Sequence, residues 1–125
     1  MKIKSDTKEK FHVVTVLEPV LAANMTEGLS GSLLFYLGEP VKNVILNLGN
    51  VDTIDEASAT SLAQIQQKFY DAGCSLVFCN LKPGVEEFLD KKELLEIMNV
   101  TPTESEAWDI VQMEEIEREL YGGEN

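Results

Sequence analysis

The chain is poor in the residues that bind soft metals. Its 125 residues include two cysteines and one histidine, too few thiolates and imidazoles for a tetrahedral zinc site. Cys74 and Cys79 flank the apolar run CSLVFC. If that run is extended, the two thiols point to opposite faces roughly 16 Å apart, beyond the reach of a disulfide. The expectation is two reduced, buried thiols in a cytoplasmic protein. His12 falls on an expected strand and reads as a packing residue, not a catalyst. Basic charge is scarce as well: 10 Lys and Arg stand against 22 Asp and Glu, a formal net charge of −12. Such a field repels phosphate backbones and anionic membranes, so neither nucleic acid nor membrane is an expected partner. After Asn99 there are eight acids and only Arg118 as a base. That run reads as a solvated helix and tail in preference to a docking surface for a basic partner. No apolar run approaches the ~20 residues of a membrane span, and MKIKSDTKEK lacks a signal-peptide core and cleavage pattern. The phosphate-cradling GxGxxG and P-loop patterns are missing. No serine has an evident base, since the one histidine lies on another element.

What is present is ordinary for a folded domain: 44% hydrophobic and 26% charged residues, enough for one core without staples. Residues 2–5 and FHVVTVLE (11–18) read as strands joined by a polar turn, with Pro19 closing the second. Met25, Leu29, Leu33 and Leu37 have helical spacing from Asn24 onward, and Gly38 and Pro40 stop that helix. VKNVILNL is a continuous apolar strand, the kind buried on both faces. A helix after Asp55 carries Leu62, Ile65 and Phe69 on one stripe and ends at Gly73. CSLVFC is the next strand. NLKPGVEEFLD opens a short helix with Asn80 as cap, Pro83 in its first turn and Val85, Phe88 and Leu89 facing inward, and ELLEIMN adds another helical turn. Thr103 and Glu106 have capping-box spacing before a last helix with Ala107, Ile110 and Val111 inward. Trp108 and Tyr121 read as packing or edge residues.

The order is β-β-α-β-α-β-α, a short strand near Val100, then α. It predicts an α/β fold: one domain over residues 1–121, a mixed and mostly parallel sheet of four to five strands with about four helices packed on it, and a frayed tail at 122–125. In such folds the loops after the strands tend to carry function. The stretch VILNLGNVDTIDEASATSL (44–62) holds one of those loops. Asp52, Asp55 and Glu56 form its acidic cluster, followed by small residues from Ala57 to Ser61. Carboxylates could hold magnesium, but acids at a helix start are favoured by capping and by the helix dipole, and that reading is preferred. Asp55, or Thr53 paired with Glu56, would cap the helix. The small residues either let a partner approach closely or fit under a neighbouring loop; the residues alone leave both open.

The run VKNVILNLGNVDTIDEASATSLAQIQQKFYDAGCSLVFCNLKPGVEEFLD resembles a STAS domain, the family of bacterial anti-sigma factor antagonists. The resemblance covers nearly the whole chain and is carried most specifically by the turn NLGNVDTID. It implies a transcription or stress regulator without enzymatic activity or cofactor. Such a protein works by contact with an anti-sigma factor that is also a serine kinase and phosphorylates the serine after the turn's aspartate. A phosphate there adds roughly −1.5 to −2 charge to the docking helix. Here Asp55 matches the family's aspartate, while the serine position is Glu56, the next serine is Ala57 and the usual glycine is Ser58.

Glu56 cannot accept a phosphate and carries a permanent charge, so the protein is expected either to be locked in a phosphorylated-like state or to be rewired to a partner that tolerates the acid. Ser58 is the alternative phosphosite, about 200° away around the helix. The expected partner-binding residues are Asn50, Asp52, Asp55, Glu56, Ala57 and Ser58, with no metal. The partner is an anti-sigma factor/serine kinase or another signalling protein, and the chain itself is a monomer or weak homodimer. Two other classes remain: a STAS scaffold subunit of a signalling complex without phosphate switching, and a small-ligand or metal-binding module using the acidic loop.

Overall fold

The computed structural model describes residues 2–122, so the tail expected at 122–125 lies, beyond Gly122, outside the described residues. The polar turn after Thr7 closes a hairpin, with the Lys8 N–H donating to the Phe11 carbonyl at 2.8 Å. Its strands β1 (Ile3–Thr7) and β2 (His12–Val16) are antiparallel, Ile3 opposite Val16 and Thr7 opposite His12. β1 is an edge strand whose charged residues, Lys4 and Asp6, discourage further pairing. β2 is shorter than the run 11–18, although Leu17 still donates to the Lys2 carbonyl.

β4 (Val44–Asn47) and β6 (Leu76–Cys79) join β2 in parallel, and β7 (Val100–Thr101) completes a five-stranded sheet of order β1-β2-β4-β6-β7. Val44, Ile45, Leu46, Leu76, Val77, Phe78 and Cys79 are buried, as continuous apolar runs in central parallel strands must be. Alternation sorts them. Val14, Val44, Leu46, Leu76 and Phe78 face one core, and Val13, Ile45, Val77 and Cys79 face the other.

Because the parallel strands advance in one direction across the sheet, right-handed crossovers put all three connecting helices on one face. These are α1 (Ala23–Phe35), α2 (Glu56–Asp71) and α3 (Pro83–Lys91). Leu29 and Leu33, then Leu62, Ile65 and Phe69, then Val85 and Leu89, fill the core beneath them. α4 (Glu104–Gly122) covers the opposite face alone, through Ala107 and Val111. The Thr103–Glu106 box forms, with Glu106 N–H donating to Thr103 Oγ1 at 3.2 Å. Trp108 stacks on Phe11 at 4.6 Å between ring centroids, whereas Tyr121 is exposed.

Several local readings need correction. Leu37 lies past α1 in a single 3₁₀ turn, Tyr36–Gly38. Asn80 does not cap α3: it sits at φ +60, a left-handed kink two residues before the capping position, Lys82. ELLEIMN is a run of turns and not a helix, interrupted by Glu93 at φ +59. Two short strands are additional: β3 (Val20–Leu21) and β5 (Thr53–Ile54) pair in parallel as a separate two-stranded sheet just ahead of α1 and α2. That pairing sets the amino ends of the two helices side by side.

Both cysteines are free and buried, in opposite cores. His12 is buried too. Its ring stacks on Tyr36, and its nitrogens reach Thr7 Oγ1 at 2.9 Å and the Val41 carbonyl at 2.7 Å.

Candidate functional site

The acidic loop connects the carboxyl end of β4 to α2. Its backbone is held against the preceding crossover: Asp52 N–H donates to the Pro19 carbonyl at 2.7 Å and Asp55 N–H to the Leu21 carbonyl at 3.0 Å. Gly49 passes between Asn47 and Asn80, where an added Cβ would stand 3.0 Å from Asn47 Oδ1. Asn47 Oδ1 also accepts the Gly49 N–H at 2.8 Å. These contacts fix the turn before any partner is present.

Asp55 caps α2, as expected, and does more. Its Oδ1 accepts the Ser58 N–H at 2.8 Å, while its Oδ2 accepts the Ala23 N–H at 2.9 Å. Ala22, the capping position of α1, offers no side-chain acceptor of its own. One carboxylate therefore serves the amino ends of two helices, where free N–H groups concentrate positive potential. Hydrogen bonds from Ser58, side chain first and backbone second, and then from the Ala23 backbone, hold the Asp55 carboxyl below its ordinary value of 3.8. Thr53 is not the cap, because it is used in β5.

Glu56 is the first residue of α2, exposed, with Oε2 3.2 Å from Lys92 Nζ. Asp52 is likewise exposed and ion-paired with Lys82. The two lysines flank α3, so both acids lean toward that helix. Neither lysine was singled out as a partner from the sequence, and nothing local marks them, since the pairs span loops of unrelated register. Ala57 is exposed, and Asn50 lies at the rim, Nδ2 3.5 Å from the Val16 carbonyl.

Ser58 departs from the expected docking surface. It is fully buried, and its hydroxyl meets that of Thr26, which also donates to the Ala22 carbonyl at 3.0 Å. Ala59 is buried beside it. The small residues thus serve two purposes at once: Ser58 and Ala59 let α1 pack against α2, while Asp55, Glu56 and Ala57 stay open. The Ser58 hydroxyl therefore faces α1 and not solvent.

Among the described residues no group of three or more His, Cys, Asp or Glu side chains could hold a metal ion. Nor is there, among them, a helix long and apolar enough to cross a membrane. Cavities of about 560 and 530 Å³ open around Gly73 and Arg118, at the amino ends of the parallel strands and away from the acidic loop. The candidate site is an exposed face.

The sequence model of the STAS domain matches residues 2–107, and the chain belongs to that family. Comparison with curated protein sequences gives no match. Among solved structures, a candidate anti-sigma factor antagonist from Thermotoga maritima superposes with a TM-score of 0.75 at 20% identity, over 88% of this chain and 94% of that one. An anti-sigma factor antagonist from Mycobacterium paratuberculosis gives 0.76 at 14% identity, over 89% and 93%. The murine anion transporter Slc26a9 gives 0.68 at 19% identity, over 83% of this chain but only 18% of the transporter. At these identities the likeness is one of fold. The protein is a single STAS-like α/β domain that resembles anti-sigma factor antagonists, in a family whose fold also occurs within a much longer transporter chain.

Proposed function

We propose that this domain is a non-catalytic regulator of transcription or stress signalling. In this reading it binds an anti-sigma factor that is also a serine kinase, in the cytoplasm, through Asn50, Asp52, Asp55, Glu56 and Ala57. The observation that carries the reading is the position of Glu56. It stands exposed at the first position of α2, directly after the doubly used Asp55, where the family resemblance places a phosphorylated serine. A carboxylate is at ease there, because the helix start favours negative charge. The face would therefore present permanently the kind of charge that phosphorylation presents on demand. Ser58 supports this surface from behind, by holding α1 to α2, and takes no phosphate.

Affinity capture from the native cell lysate with wild-type and Glu56→Ser baits tests the proposal. Recovery of a serine-kinase anti-sigma factor, with more on the Glu56→Ser bait, is the expected result. Equal recovery of it on both baits, or recovery without any kinase, contradicts the idea that Glu56 sets the charge of the contact.

A second reading, a scaffold subunit in a larger signalling complex, draws on the same residue, since a chain without the hydroxyl has no switch to throw. Light scattering separates the two: a defined multi-subunit assembly favours the scaffold, a 1:1 complex the antagonist. The ligand or metal module has weaker support, because Asp52 and Glu56 are already paired with Lys82 and Lys92.

A further inference from the structure

α4 turns one side to the sheet and leaves the other bare. Ala107 and Val111 are fully buried against Val13, Ile45 and Val77. With ~100° of turn per residue, Met113, Ile116 and Leu120 fall on the opposite side of the helix. They are 55%, 56% and 62% exposed. The spacing i, i+3, i+7 is that of a helix that buries a stripe against another helix. Within the charge run after Asn99, these three exposed apolar residues stand in line on one side of the helix.

On α4 itself the flanks of the stripe are acidic. Asp109 and Glu117 share its side of α4, and the helix carries a single base, Arg118. That base is turned inward, its Nη1 3.2 Å from Ser75 Oγ. The match to the STAS family model ends at Ala107, so the stripe lies beyond it.

Charge decides what covers it. A second copy would bring the same acidic flanks to the contact, within a chain of net charge −12, and an anionic membrane would be repelled likewise. A helix with an apolar stripe and lysine or arginine beside it would bury Met113, Ile116 and Leu120 and meet Asp109 and Glu117 with opposite charge. We propose that the outer face of α4 docks a basic amphipathic helix of another protein. Since α4 is on the opposite side of the sheet from α2, both faces can be occupied together.

Fluorescence anisotropy with a labelled synthetic peptide of leucine and lysine at helical spacing tests this, alongside a scrambled isomer of the same composition. The expected result is saturable binding about tenfold tighter than that of the isomer. The double variant Ile116→Ser, Leu120→Ser should bring it down to the isomer's level while keeping the wild-type circular dichroism spectrum. Equal binding of the two peptides, or undiminished binding by a folded double variant, overturns the proposal, because charge alone would then account for it. Sedimentation of the wild type as a dimer that the double variant dissociates also overturns it, since a second copy would be the occupant.

Discussion

Asp55 and Ala23 are 32 positions apart, yet the side chain of one accepts the backbone N–H of the other at 2.9 Å. The same carboxylate caps its own helix at Ser58. The proposed docking face and the packing of α1 on α2 therefore share one residue. Loss of a single helix cap costs about 0.5–2 kcal/mol. Asp55→Ala removes two at once and should lower Tm by about 4–10 °C in calorimetry.

The acid limb of the stability curve should carry the same signature. The folded state holds the Asp55 carboxyl below 3.8, whereas an unfolded aspartate titrates near ~3.9. Its contribution is thus present above that value and lost as pH falls through the lower, folded one. Denaturant midpoints between pH 6 and pH 2.5 should drop less steeply in Asp55→Asn than in the wild type.

Position 56 and position 58 should respond in opposite ways. Glu56 pairs with Lys92 in solvent, and such pairs contribute about 0–1 kcal/mol, so Glu56→Ser should melt close to the wild type. Ser58 is buried against Thr26. Ser58→Ala should cost about 1 kcal/mol, and Ser58→Asp, which buries an unpaired charge, about 3 kcal/mol or more. A Ser58→Asp protein of wild-type stability would contradict the placement of that serine.

Both thiols should be silent while the domain is folded. Burial, and secondarily Glu104, pushes Cys79 up to about 12, and burial raises Cys74 against the opposing pull of Arg118 and Lys42. In the unfolded chain a thiol ionises near ~8.5. The stability linked to these groups is therefore full below that pH and lost as pH rises toward 12. A thiol reagent at pH 8 should label neither cysteine until denaturant is added, and the denaturant midpoint should be lower at pH 10 than at pH 7.

Asn43 should matter as much as a core residue. Its Nδ2 donates to Glu115 Oε1 at 2.7 Å and to the Lys10 carbonyl at 3.3 Å, while Oδ1 accepts the buried Ser75 N–H at 2.9 Å. It ties α4 to the amino ends of β4 and β6. Asn43→Ala leaves that N–H without its partner and should cost about 1–3 kcal/mol by chemical denaturation.

The sheet was legible in the sequence because its central strands are continuous apolar runs and its helices have clean stripes: Val44 to Leu46, Leu76 to Cys79, and Leu62, Ile65 and Phe69 fall where the periods put them. The two-stranded β3–β5 sheet was not, since two residues per strand carry no period. Nothing local marks Asn43 or Thr26 for a role; the fold sets Ser75 and Ser58 against them. The capping role of Asp55 on α2 was visible from the local pattern, but its bond to Ala23 depends on tertiary contact alone. Ser58 was misplaced because the small-residue run looks uniform, and only the packing of α1 tells its buried side from its open one.

The central proposal is that Glu56 stands where a phosphoacceptor would. The direct measurement is intact-protein mass spectrometry after incubation with ATP and the serine-kinase anti-sigma factor recovered by capture, for the wild type and Glu56→Ser side by side. One phosphate on the Glu56→Ser protein, mapped to residue 56, and none on the wild type is the predicted result. Phosphate on wild-type Ser58, or an unmodified Glu56→Ser protein, would contradict it.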